Sequence, residues 1–92
     1  MIGSFADKDA ADIFDGARSR RYGGLARVID RKLRAIEAAI SLQELNVPPG
    51  NKLEALKGDR IGQHSIRVNQ QFRICFQWEG QHAYKIEIVD YH

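Results

Sequence analysis

The hydrophobic period changes midway along the chain, and this limits the possible folds more than any other feature. In "LARVIDRKLRAIEAAI" the apolar side chains fall at Leu25, Val28, Ile29, Leu33, Ile36 and Ile40. Recurrence every three or four residues marks a helix with one apolar face. From residue 64 onward the period is two. In "HSIRVN", Ile66 and Val68 alternate with Ser65, Arg67 and Asn69. In "QFRICFQW", Phe72, Ile74, Phe76 and Trp78 alternate with Arg73, Cys75 and Gln77. In "HAYKIEIVDY", Tyr84, Ile86 and Ile88 alternate with Lys85 and Glu87. Alternation of this kind marks strands with one face on a core. A helical half followed by a stranded half predicts an α+β fold: N-terminal helices covering the apolar face of an antiparallel meander.

Local signals fill in the rest. Asp7 is a suitable N-cap and Gly16 a suitable stop, so "DKDAADIFDGA" predicts a short first helix. "MIGSFA", with Ile2 and Phe5, predicts a first strand. The long helix is expected to run on through "SLQEL" until "NVPPGN" ends it, because proline cannot continue a helix. Asp30 and Arg34, four apart, would pair on its outer face. "VNQQ" and "WEGQ" supply the turns of the meander, the second through Gly80.

Ninety-two residues make a single domain, 1–92, with one core and no room for a deep cofactor cleft. No apolar run is long enough to span a bilayer, and "MIGSFADKD" lacks the features of a signal peptide. Cys75 is the only cysteine, so a disulfide framework is excluded. His64, His82 and Cys75 lie on different strands without ligand spacing, so neither a metal nor a cofactor is expected. The expected location is the cytoplasm, with no membrane contact.

The net charge of +2 says little, but its distribution says more. Arg67, Arg73 and Lys85 share the polar side of the predicted strands, with Lys57 and Arg60 of "LKGDRIG" just before them. Lysine alone would be ordinary protection of a sheet edge. Arginine adds a planar fork that matches phosphate oxygens. In "ARSRRYGG", Arg18, Arg20 and Arg21 form a second basic cluster, suited to phosphate or to an acidic partner. By parity Cys75 shares the side of Arg73, which would leave it partly accessible with its thiolate favoured.

The last strand runs into Asp90, Tyr91 and His92. Parity sends Tyr91 to the basic side, where a ring can stack on a base. It sends Asp90 and His92 to the other side, although strand ends twist. His92 carries an imidazole, a group that when unperturbed changes charge near neutrality and suits general acid or base work.

The blocks "LKGDR", "GQHSIRVN", "QFRICF" and the closing "VDYH", in this order, resemble the HigB branch of the RelE/ParE toxin superfamily. The resemblance runs the length of the chain. It implies a RelE-like α+β domain, two N-terminal helices packed on a small curved antiparallel β-sheet. It also implies a toxin that enters the A site of the 70S ribosome and cuts mRNA without a metal. The implied partner is a HigA-type helix-turn-helix antitoxin, and operator DNA is met only through it. By the same resemblance Lys57, Arg73, Asp90, Tyr91 and His92 match site positions. Glu54 stands where some HigB toxins have a histidine, and is the alternative base. Arg67 and Asn69 stand where some have threonine and arginine. RNA contacts are expected from Arg67, Arg60, Lys85, Arg18, Arg20 and Arg21.

Two other readings stay open on the sequence: a ParE-like toxin that binds DNA gyrase, and an RNA- or ribosome-binding module that does not cut. Fold alone does not decide between them. If His92 moves a proton, deleting it should reduce cleavage of ribosome-bound mRNA by about 10²–10⁴-fold. Stability should move by no more than about 0.5 kcal/mol. Wild-type cleavage by the deletion would reassign that role to Glu54 or Asp90.

Overall fold

A computed structural model describes residues 1–90. Helix α1 spans Lys8–Phe14 and α2 spans Leu25–Ala38. Strands β1 (Glu54–Ala55), β2 (Gln63–Arg67), β3 (Phe72–Glu79) and β4 (His82–Asp90) form an antiparallel sheet in the order β1-β2-β3-β4. Short 3₁₀ turns at Leu42–Asn46 and Pro49–Asn51 carry the chain from α2 to the sheet, and a third at Gly58–Arg60 lies between β1 and β2.

Helix α1 forms as its end signals require. The Asp7 side chain accepts the Asp9 N–H at 2.9 Å and caps α1. Its other carboxylate oxygen takes the Ile88 N–H at 3.0 Å, so one residue caps a helix and ties it to β4. Asp30 and Arg34 pair across the exposed side of α2 at 3.2 Å, as their spacing predicts. Ile29, Leu33 and Ile36 of α2 are fully buried, as are Ile66, Ile74, Phe76 and Ile86 of the sheet. Burying each such side chain contributes roughly 1.5–3 kcal/mol, and this layer is the main source of stability.

The long helix ends earlier than expected. It stops at Ala38, Ala39 is extended at φ −71° and ψ 135°, and Ile40 is 62 % exposed. The physical reason is a capping box one turn later. The Glu44 carboxylate accepts the backbone N–H groups of Ile40 at 2.9 Å and Ser41 at 2.7 Å. Those two bonds hold the Glu44 carboxyl below its ordinary pKa. They start a new turn, which turns the chain before the prolines are reached.

The first segment pairs with β4 at two isolated points, Ile2 with Ala83 and Phe5 with Ile86, and runs parallel to it. Strand β4 departs from simple alternation. Gln77 faces Tyr84 and Cys75 faces Glu87, so β4 carries a bulge, with Lys85 at φ +55°. Ala83 takes the core position, and Tyr84 leaves the side of Ile86 and Ile88 where alternation placed it. Its ring packs so closely on Gly3 that a Cβ there would lie 2.4 Å from Tyr84 Cε1.

Leu33 and Ile40 stand on the same apolar stripe of the sequence, but only Leu33 is inside. Leu33→Ala should cost about 2–5 kcal/mol in chemical denaturation. Ile40→Ser should stay within about 0.5 kcal/mol. Equal losses would place the helix end wrongly.

Candidate RNA-processing face

The strand registers build the site. Glu54 faces Ser65, Ser65 faces Cys75, and Cys75 faces Glu87, so one row crosses all four strands. The neighbouring row is Arg67, Arg73 and Val89. Since residues two apart share a face, Glu54, Ser65, Arg67, Arg73, Cys75 and Glu87 lie together, opposite the helices.

Arg67 and Arg73 are direct cross-strand partners. Like charges so placed repel, and the fold holds both guanidiniums on acceptors. Arg67 Nε donates to the Asn69 carbonyl at 3.1 Å. Arg73 Nε donates to Ser65 Oγ at 2.7 Å, and its Nη2 to the Lys52 carbonyl at 2.6 Å. Two fixed cations side by side are what a phosphate, or a phosphorane passing through a more highly charged state, requires.

The residues between β1 and β2 cover part of this face. Arg60 Nη1 donates to Gln63 Oε1 on β2 at 3.1 Å and to Glu87 Oε1 on β4 at 2.6 Å, so its guanidinium spans β3. Lys57 is exposed just before the turn that carries Arg60. Glu54, Ala55, Leu56 and Lys57 line a recess of about 260 Å³. A carboxylate and an ammonium on one recess can hold a phosphate and serve a proton transfer.

Cys75 differs from expectation. It is fully buried, because alternation assigns a residue to a face but says nothing of what covers that face. Burial pushes its thiol above the ordinary value, against the opposing pull of Arg60 and Arg73 and with the help of Glu87 and Glu54. It is neither accessible nor a favoured thiolate.

The other predicted positions are dispersed. Asp90 faces Phe72, on the side opposite the arginine rows, and accepts from Gln71 Nε2 at 3.1 Å. It lies near Tyr22, whose phenol is raised by burial, opposed by Arg21 and reinforced by Asp7, Asp9 and Asp90. Tyr91 and His92 lie outside the described residues. Lys85 is exposed at the bulge, where its N–H donates to Ser4 Oγ at 2.9 Å. Arg18, Arg20 and Arg21 belong to the α1–α2 loop. Arg21 is 3.6 Å from Asp9 and lies over the Tyr22 ring. Arg18 lines a groove of about 440 Å³ floored by Ile13, Ala17 and Ala26. His64 stacks near Phe76 within the sheet, and His82 opens β4.

Sequence reasoning passed over Ser65 and Glu87. Their parity with Arg73 was the available signal, but their types are common on strands. The Lys52 carbonyl carries no sequence signal.

Residues 3–92 match the family model described as "RelE-like toxin of type II toxin-antitoxin system HigB". "Toxin HigB-1" of Vibrio cholerae serotype O1 is 37 % identical over 80 residues, 85 % of this chain and 84 % of that protein. "Endoribonuclease HigB" of Proteus vulgaris is 41 % identical over 95 aligned positions, covering all of both chains. Among solved structures, the YoeB–YefM complex from Staphylococcus aureus matches with a TM-score of 0.61 at 20 % identity, over 100 % of this chain and 98 % of that one. The YoeB/ParE toxin from Agrobacterium tumefaciens matches with a TM-score of 0.57 at 19 % identity, over the whole of both chains. At such identities these two structures establish a common fold. The class is thus a RelE-like toxin fold with a basic, partly covered sheet face. Within it, the chain belongs to the HigB family of type II toxin–antitoxin toxins.

The burial of Cys75 has a direct consequence. Native protein should resist a thiol reagent at mildly alkaline pH, and protein unfolded in guanidinium should react at once. Rapid reaction in the native state would mean that residues 52–60 do not cover the sheet.

Proposed function

We propose that the protein is a ribosome-dependent endoribonuclease that cuts mRNA in the A site and so arrests translation in the cytoplasm. The observation that carries this reading is the Arg67–Arg73 pair, two cations held side by side on one sheet face. The naming of the Proteus vulgaris relative as an endoribonuclease supports it.

The chemistry needs three things. A ribose 2′-hydroxyl must lose its proton, the charge on the phosphorane must be stabilised, and the 5′-oxygen must gain a proton as it leaves. Arg73, Arg67 and Lys57 would balance the phosphate charge, which is often the largest catalytic contribution. Glu54, which lines a recess with Lys57, would accept a proton. His92 and Asp90 are the alternatives from the family pattern, and Tyr91 would stack on a base. The RNA supplies its own nucleophile, so no cofactor is required. The products would be a 2′,3′-cyclic phosphate and a 5′-hydroxyl.

The partner would be a HigA-type helix-turn-helix antitoxin encoded beside the toxin. The Staphylococcus aureus neighbour was solved as a YoeB–YefM complex, which supports an antitoxin partner in general. Among the described residues no helix is long and apolar enough to cross a membrane.

Arg73→Ala and Lys57→Ala should each lose most cleavage while remaining folded. Arg73→Lys should be impaired as well, since an ammonium cannot reproduce the fork. Mapping transcript 5′ ends after induction, beside a plasmid supercoiling assay, tests the reading. New 5′-hydroxyl ends within translated frames are expected, with supercoiling unchanged. Altered supercoiling without new ends would overturn it in favour of gyrase binding.

A further inference from the structure

Among the described residues, Ser65 and Lys52 hold the Arg73 side chain from two different elements. Its Nε–H meets the hydroxyl of Ser65, a residue with no exposed surface, at 2.7 Å. Its Nη2 meets the backbone carbonyl of Lys52 at 2.6 Å. Nε and Nη2 lie on one edge of the planar fork, so the two bonds fix the plane of the guanidinium as well as its position. A guanidinium carries five N–H donors, so being held at this edge is compatible with a phosphate contact.

The Lys52 carbonyl is itself a fixed point. Asn51, 1 % exposed, donates through Nδ2 to the carbonyls of Leu45 at 3.0 Å and Val47 at 3.2 Å, and its Oδ1 accepts from Lys32 Nζ. Lys52 follows at φ +46° and ψ 56°, left-handed backbone that side chains other than glycine rarely adopt. Such a conformation persists only where its surroundings over-determine it, and it is often found beside working residues. On the opposite side Ser65 is locked into the sheet between Glu54 and Cys75.

We propose that Ser65 is a positioning residue for Arg73: its buried hydroxyl, working against the fixed Lys52 carbonyl, aims the guanidinium at the scissile phosphate. A strand alanine would pack in the same space, so folding alone does not call for a hydroxyl there. A charged donor at 2.7 Å does. The inference rests on the ribonuclease reading, in which Arg73 meets the phosphate.

The test is a double-mutant cycle with a spectroscopic arm. Ser65→Ala, Arg73→Ala and the double variant are compared in cleavage of ribosome-bound mRNA, with folding checked by thermal denaturation. Hydrogen exchange of the Arg73 Nε–H is followed by NMR in the wild type and in Ser65→Ala. Ser65→Ala should fold, cleave at least about tenfold more slowly through kcat, and speed Nε–H exchange by a similar factor. In the Arg73→Ala background the same change should be silent to within about twofold. Equal losses in both backgrounds, or unchanged Nε–H exchange, would overturn the proposal. A wild-type chain that does not cleave would contradict the ribonuclease reading itself, and Nε–H exchange would still decide whether Ser65 holds Arg73.

Discussion

The centre of the sheet is buried on both faces, and the other features of the molecule follow from that. On β3, Ile74 and Phe76 face the helices while Cys75 faces away, and all three are fully buried. Helix α2 covers one side through Ile29, Leu33 and Ile36. The residues from Lys52 to Arg60 cover part of the other. Closing the second side required polar groups, because that face carries Ser65, Arg67, Arg73 and Glu87. Each is held by a named partner: Arg73 by Ser65 and Lys52, Arg67 by Asn69, and Glu87 by Arg60. The one fully buried member, the Ser65 hydroxyl, would be costly to leave unpaired, so the network favours one arrangement. The same network that closes the sheet sets two arginines side by side.

In the proposed reading, stability and function occupy opposite sides of one strand. The apolar side supplies the free energy of folding and tolerates only substitutions of similar volume. The polar side accepts repulsion between Arg67 and Arg73, which a merely solvated surface would have no reason to retain. Arg60 behaves differently from its neighbours. Its Nη1 is engaged by Gln63 and Glu87, with both side chains of the ion pair about one-third exposed. It acts in the structure as a strap over β3, alongside any contact it makes with RNA.

Much of the fold was legible because the hydrophobic periods are clean. Helix α1 lies where Asp7 and Gly16 place it, and the start of α2 and the three longer strands lie where Leu25 to Ile36 and Ile66 to Ile88 place them. The end of α2 was also present in the sequence, as the Ser41–Glu44 capping box, but the apolar Ile40 and Leu45 disguised it. The bulge at Lys85 was not legible, since nothing about a lysine announces φ +55°. Strand β1, two residues long, is too short to show a period. In the site, parity alone put Arg67 and Arg73 on one face. The position of Glu54 in the row of Ser65 needed the register of β1, and the burial of Cys75 needed knowledge of what packs above it. Glu54 and Arg73 share one face by register, while Asp90 stands on the other, opposite Phe72 and near Tyr22.

The central claim is that RNA meets the sheet face opposite the helices. Photo-crosslinking from 4-thiouridine placed in the A-site codon of ribosome-bound mRNA, with crosslinked residues mapped by mass spectrometry, tests it most directly. Crosslinks are expected within residues 52–60, on β2 around Ser65 to Arg67, and at Arg73. Crosslinks concentrated in the loop from Gly16 to Gly24, or on the exposed side of α2, would contradict the account and move RNA recognition to the helical layer.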